Sequence, residues 1–106
     1  MLADKTIKIE FYLPAKTMTG QDIDPKRIDD IINLIWPKYR GGTKLAGTGY
    51  YRKRSGENEI AESYVLAIIT AYNTSLEREL KSFKEKIKNE LNQEEVLITW
   101  QFIDVF

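Results

Sequence analysis

One stretch of this chain concentrates the side chains that could do chemistry. Between Pro37 and Gly56 lie six basic residues, Lys38, Arg40, Lys44, Arg52, Lys53 and Arg54, and no acidic one. The same stretch holds five of the six glycines and the tyrosines Tyr39, Tyr50 and Tyr51. Guanidinium forks grip carboxylate or phosphate, and ring faces stack on bases, so residues 38–54 could form an anion site or a nucleic-acid arm. A plainer reading competes. Edge strands carry Lys and Arg to discourage pairing with other chains, and their glycines permit bulges and strong twist. The plainer reading takes precedence over nucleic acid, because 16 Lys+Arg are balanced by 16 Asp+Glu over the whole chain. A neutral protein offers no long-range field for a polyanion.

Other chemistries are more sharply bounded. The chain has no cysteine and no histidine, which removes disulfides, thiol catalysis, Cys/His zinc sites, iron–sulfur clusters and every His-based triad. Carboxylates pair at Asp22/Asp24 and Asp29/Asp30, but acid–base work or magnesium binding needs them converging in a cleft. Asp24 is better explained as a helix cap, and Asp29-Asp30 fall on the polar side of the helix it starts. Gly41-Gly42 and Gly47-x-Gly49 lead into and along a strand, whereas a dinucleotide loop lies between a strand and the helix it opens. No metal and no cofactor is expected. An enzyme on this chain would have to work with Tyr, Arg, Lys and carboxylates, in a pocket recruiting Trp36, Tyr12, Tyr50 or Tyr64. Core or seam packing is the alternative for such aromatics, and the better one for Trp100 and Phe102.

The elements that must position these residues follow from periodicity. Ile7, Ile9, Phe11 and Leu13 alternate with Thr6, Lys8, Glu10 and Tyr12, the mark of a strand with one buried face. Asp24-Pro25 opens a helix in which Ile28, Ile31, Ile32 and Ile35 share a face, and Pro37 stops it. Thr43–Arg54 and Glu59–Tyr72 are two strands around a turn at Ser55-Gly56-Glu57-Asn58. The second is apolar on both faces, as central strands are. Thr74 and Glu77 have the spacing of a capping box, and Leu76, Leu80, Phe83, Ile87 and Leu91 form the stripe of a second helix. Val96, Ile98, Trp100 and Phe102 alternate in a last strand. The helices come to about 13 and 17 residues.

A β-α-β-β-α-β order with right-handed crossovers closes into a ferredoxin-like α+β plait over residues 1–106, one domain, with strand order 4-1-3-2. Both helices then cover one face of the sheet. The other face carries Lys8, Glu10 and Tyr12 with Thr99, Gln101 and Ile103, and one apolar row of the central strand. That row is either Tyr64, Leu66 and Ile68 or Val65, Ala67 and Ile69. An uncovered apolar strip predicts a homodimer formed sheet to sheet; the last strand's tail or the loop 14–23 folding across it would do the same work. With the hairpin centred near Glu57, Arg52 lies opposite Glu62, Tyr50 opposite Tyr64 and Arg54 opposite Ile60. These choices give a candidate ligand surface of Tyr50, Tyr51, Arg52, Arg54 and Glu62, facing an anionic ligand or a protein partner. The first expectation is a non-enzymatic binding or regulatory module. A cofactor-free enzyme or small-ligand binder with a Tyr/Arg-lined pocket is the second.

The run Gly49-Tyr50-Tyr51-Arg52, then Gly56, then Ala61-Glu62-Ser63-Tyr64-Val65-Leu66 resembles a small bacterial family of unknown function. That family is marked by a glycine–x–aromatic–arginine strand, a glycine turn and a glutamate-bearing strand. Trp36-Pro37-Lys38-Tyr39-Arg40-Gly41-Gly42 is similar to its helix-end segment and Gly20-Gln21 to its preceding loop, so the resemblance spans residues 10–72. Tyr51 departs from the pattern, where tryptophan is commoner, and so does the lack of the export signal that many members carry. The resemblance implies a plait-like fold and no activity, and it puts Arg52, Glu62 and Tyr51 first for testing. No apolar run approaches the ~20 residues of a membrane-spanning helix, and a cytoplasmic location is the default expectation.

Overall fold

The computed structural model describes residues 5–53 and 55–106. Six main elements follow one another: β1 (Thr6–Pro14), α1 (Pro25–Ile35), β2 (Thr43–Arg52), β3 (Asn58–Ala71), α2 (Leu76–Glu90) and β4 (Ile98–Ile103). All neighbouring strands are antiparallel, in the order β2-β3-β1-β4. This is the ferredoxin-like plait that the periodicity predicts, with its 4-1-3-2 order.

The core forms where the two periodicities meet. The alternating row Ile7, Ile9, Phe11 and Leu13 is fully buried, and so are Leu66 and Ile68 beside it on β3. Ile28, Ile31, Ile32 and Ile35 of α1 and Leu76, Leu80, Phe83 and Ile87 of α2 close over this row as one cluster. Phe83 meets Phe11 edge to face, ring centroids 6.0 Å apart. Each such residue contributes roughly 1.5–3 kcal/mol by leaving water. Both helices therefore lie on one face.

Local signals explain most element ends. Asp24 Oδ1 accepts the Lys26 N–H at 2.9 Å, capping α1 as expected. The chain does not stop at α1 but tightens into a 3-10 turn, Trp36–Tyr39. Pro37 sits near the start of that turn, where its missing N–H is not needed. The Thr74/Glu77 capping box does not form. Asn73 Oδ1 takes the Ser75 N–H at 2.9 Å, and Ser75 Oγ donates to Glu79 Oε1 at 3.1 Å. Asn competes well here because its side chain mimics a backbone turn, and this starts α2 one residue later. β4 begins at Ile98 rather than Val96, although Val96 is still buried.

The hairpin register is the main correction. Observed partners are Arg52↔Asn58, Tyr50↔Ile60, Thr48↔Glu62 and Ala46↔Tyr64. Gly56, at φ +89°, is the residue that closes the turn: its N–H donates to Lys53 O at 2.9 Å, and the Lys53 N–H donates to Glu57 O at 2.8 Å. A left-handed residue late in the loop suits glycine, and it sets the centre near residue 55. The predicted Arg52–Glu62 and Tyr50–Tyr64 pairs are therefore not formed, and Arg54 lies outside the described residues. The shift is even, so every residue keeps its predicted face while changing its partner.

The open face carries Val65, Ala67 and Ile69 from β3, with Leu45 on β2 and Lys8, Glu10 and Tyr12 on β1. On β4 it carries Thr99, Gln101 and Ile103. The loop 14–23 does not cross it: Ile23 N–H returns to Ala15 O at 2.8 Å, and Gln93 Nε2 donates to Lys16 O at 2.8 Å, holding the loop at the sheet's end. Trp100 packs against the core, while Phe102 is half exposed and stacks on Tyr72 and Trp100 instead.

Candidate functional site

The distal halves of β2 and β3 leave the body as an arm, and the molecule extends 53 Å along one axis against 23 and 22 Å along the others. Strand alternation splits the predicted site residues between the arm's two faces. Tyr50, Arg52 and Glu62 lie on the helix-side face, Tyr51 on the open one. Tyr50 is 75% exposed and Ile60 opposite it 66%. Arg52 Nε donates to Asn58 Oδ1 at 3.2 Å. The Glu62 carboxylate instead accepts from Tyr64 Oη at 3.4 Å. The four of these candidates that are described do not converge on one point.

Around Tyr51 the chain does build a concavity. Two positions before it on the same strand face is Gly49, where a Cβ would collide with the Tyr51 ring. The missing side chain lets the ring lie along the sheet rather than stand off it. Beneath and beside the ring is a recess of about 150 Å³ bordered by Pro14–Met18, Glu59, Ala61, Glu62 and Gln93. A wider cleft of about 510 Å³ continues from Tyr51, Pro14 and Gln93 to Tyr12, Lys84, Glu95, Val96 and Leu97. Hydrogen bonds fix the walls: Ala15 N–H donates to Glu62 O at 3.3 Å, and Met18 N–H to Asn92 O at 3.0 Å.

The charges at this site are mostly matched. Glu59 meets Lys53 Nζ at 3.4 Å, Lys16 meets Asp22 at 3.7 Å, and Lys84 meets Glu95 at 3.5 Å. The concavity offers one aromatic face, an apolar floor and a few polar groups, which is the composition of a small-molecule site. Among the described residues no group of three or more acidic side chains could hold a metal ion. The cations of 38–54 are also drawn inward: Lys38 pairs with Glu79 at 3.6 Å and Lys44 with Asp29 at 2.8 Å. Among the described residues, three of these cations thus form ion pairs and Arg52 bonds to Asn58, which thins the basic stripe considerably.

A second polar cluster is structural. Tyr39 is buried and donates to Glu79 Oε2 at 3.4 Å. Burial first, then the Glu79 charge and this hydrogen bond, push the Tyr39 phenol well above its ordinary range, so it stays a donor. This cluster fastens the 3-10 turn to the first turn of α2.

The sequence-based reading of the site missed the contribution of Pro14–Met18 and Gln93. The signal for Tyr51 was present in Gly49-x-Tyr51, a glycine two residues before an aromatic on one strand. Nothing comparable marks Gln93, which arrives through tertiary contact.

Neither a protein-family model nor a curated protein matches the sequence. Its fold does have relatives among solved structures. A phage SAM lyase in complex with S-methyl-5'-thioadenosine is similar with a TM-score of 0.74 and 15% identity, over 100% of this chain and 91% of that one. CutA1 from Pyrococcus horikoshii is similar with a TM-score of 0.61 and 17% identity, over 94% and 85%. A Bacillus cereus protein related to NIF3 gives 0.67 and 15%, covering 99% of this chain but only 27% of the other. At these identities the likeness concerns the fold. No helix among the described residues is long and apolar enough to cross a membrane.

Proposed function

We propose that this chain is a small binding module that works from the β2–β3 arm and takes a compact, flat-ringed ligand in the cleft at the arm's root. The carrying observation is the Tyr51 ring laid over Gly49 as one wall of the cleft that runs to Tyr12 and Leu97. Its volume of about 510 Å³ falls within the ~300–1,000 Å³ typical of small-ligand pockets. The similar phage lyase holds S-methyl-5'-thioadenosine, so that nucleoside is the natural first probe. Isothermal titration with it should give saturable binding to the intact chain, weakened at least about tenfold in Tyr51→Ala, the scale of one lost ring contact. No heat at millimolar nucleoside would reject this ligand class.

Tyr50, Arg52 and Glu62 stand on the arm, Glu62 also bordering the recess under Tyr51. In this proposal Tyr50, Arg52, Arg54 and Glu62 form a contact surface for an anionic or protein partner. Two copies meet over the β2 side of the open sheet face, where Leu45 is more than half exposed. Light scattering should give twice the monomer mass at micromolar concentration, and Leu45→Lys should return the monomer. A wild-type monomer would remove the dimer from the proposal.

A second reading, a cofactor-free enzyme, is favoured by Lys16 and Glu59 beside the same recess, and by the lyase activity of the similar fold. It predicts that incubation with S-adenosylmethionine yields S-methyl-5'-thioadenosine, the amino-acid fragment leaving as homoserine lactone when its own carboxylate displaces the sulfonium sulfur. Unchanged substrate after prolonged incubation at high protein concentration leaves the binding module alone.

A further inference from the structure

The opposite end of the open face carries a second concavity that the arm does not touch. It holds about 350 Å³ and is lined by Lys8, Tyr39, Arg40, Gly41, Gly42, Thr43, Ala67 and Ile69. Two cations stand at this hollow and no carboxylate lines it. Neither Lys8 nor Arg40 has an ion-pair partner among the described residues, unlike Lys38, Lys44 and Lys53 from the same basic stretch. Glu10, two residues from Lys8 on the same strand face, is the neighbouring acidic group, and it accepts from Tyr12 Oη at 3.5 Å.

The backbone here is unusual. Arg40 ends the 3-10 turn at φ 70°, ψ 0°, in the left-handed region. That conformation costs a residue with a Cβ roughly 1–2 kcal/mol and is the ordinary place of glycine or asparagine. Two glycines follow immediately, so a glycine at this site is chemically available to the chain, yet a long cation occupies it. Gly42 in turn lies tight on β3, where a Cβ would meet Leu66 Cδ1 at 3.1 Å and Ile68 Cγ1 at 3.2 Å. This close approach fixes the 40–42 segment as a wall beside Ala67 and Ile69. Strain held at an exposed charged residue is a reason to look for function there.

We infer that this hollow binds a small organic anion, its carboxylate or phosphate between Arg40 and Lys8 and its apolar body on Ala67 and Ile69. A guanidinium fork suits either head group. The apolar floor, Ile69 being 56% exposed, selects against bare inorganic ions. This site is independent of the Tyr51 cleft and stands or falls without it.

The test is an amide-shift titration of the full chain with phenyl phosphate, benzoate and inorganic phosphate. Shifts should appear at Gly41, Gly42, Ala67 and Ile69, not at Tyr51, and the ring-bearing probes should bind about tenfold tighter than inorganic phosphate. Benzoate against phenyl phosphate tells which head group is preferred. Two variants separate function from structure. Arg40→Gly should raise the melting temperature by relieving the left-handed strain while abolishing binding, and Lys8→Ala should weaken binding with the fold intact. Equal affinity in Arg40→Gly, or no saturable shift at ten millimolar of any probe, overturns the inference. Equal affinity for inorganic phosphate and phenyl phosphate overturns the role of the apolar floor.

Discussion

The two ends of β2 differ in almost everything except residue type. At its start, Gly42 leads the strand in tight against Leu66 and Ile68, and Lys44 is anchored to Asp29 on α1. At its far end, Tyr50 stands 75% exposed opposite an equally free Ile60. Both ends mix glycine, aromatic and basic residues. What separates them is whether a helix lies beneath. Near the start, Gly42 is held by the core and Lys44 by α1, so changes at these two report on stability. On the arm, side chains have no such cover, and changes there report on binding.

The contrast can be broken or sharpened by substitution. The largest effect belongs to the core beneath the strand's first half. Phe11→Ala leaves a cavity against Phe83 and should cost about 3–5 kcal/mol in chemical denaturation; a loss below one would mean the helices are loosely packed. Next, Gly42→Val pushes a branched side chain into Leu66 and Ile68, and should cost about 1–3 kcal/mol. Gly47, with nothing within 4 Å of a Cβ, should accept alanine within about 0.5 kcal/mol. A reversed order of these two glycines would invert the comparison.

Tyr39 tests the junction between the 3-10 turn and α2. Its folded pKa is raised above the ordinary value of 10.0. Below pH 10 the phenol is protonated in both folded and unfolded chains, so its contribution is complete. As pH climbs past 10 the unfolded chain ionises first and that contribution is lost. Tyr39→Phe should cost about 1 kcal/mol at neutral pH and flatten the stability decline above pH 10, as followed by denaturant midpoints. The smallest effects belong to the arm: Tyr50→Ala and Ile60→Ala should each change stability by about 0.5 kcal/mol or less. A larger loss would show that the arm is part of the folded body's cooperative unit.

Much of this was legible in the residues. The alternation of Ile7, Ile9, Phe11 and Leu13 marked the buried face of β1, and the stripe from Leu76 to Leu91 marked α2. The Asp24 cap needed only its neighbours in sequence. The hairpin partners did not follow, because a turn centred near Glu57 and one centred near residue 55 differ by an even shift and are equally compatible with the flanking alternation. The cap of α2 went to Asn73 and Ser75 for a similar reason, since several adjacent polar residues could each have served.

Site residues divide along the same line. Tyr51 was singled out by its type and by the resemblance to a glycine–x–aromatic–arginine strand, and it does wall a cleft. Arg52 and Glu62 were joined on the assumption of a register that Gly56 shifts, and four strand positions now separate the pairs they make. Gln93 could not be foreseen at all, because its amide matters only after the α2–β4 connection is laid against Lys16.

Periodicity, then, determined the elements, their order and the faces they bury, because each depends on residues a few positions apart obeying steric and solvation rules. Tertiary structure alone decided which residues share a hollow. The recess under Tyr51 and the cation pair of Lys8 and Arg40 both join side chains distant in sequence, and such neighbours are set by how whole elements pack. Local preference carries no information about that.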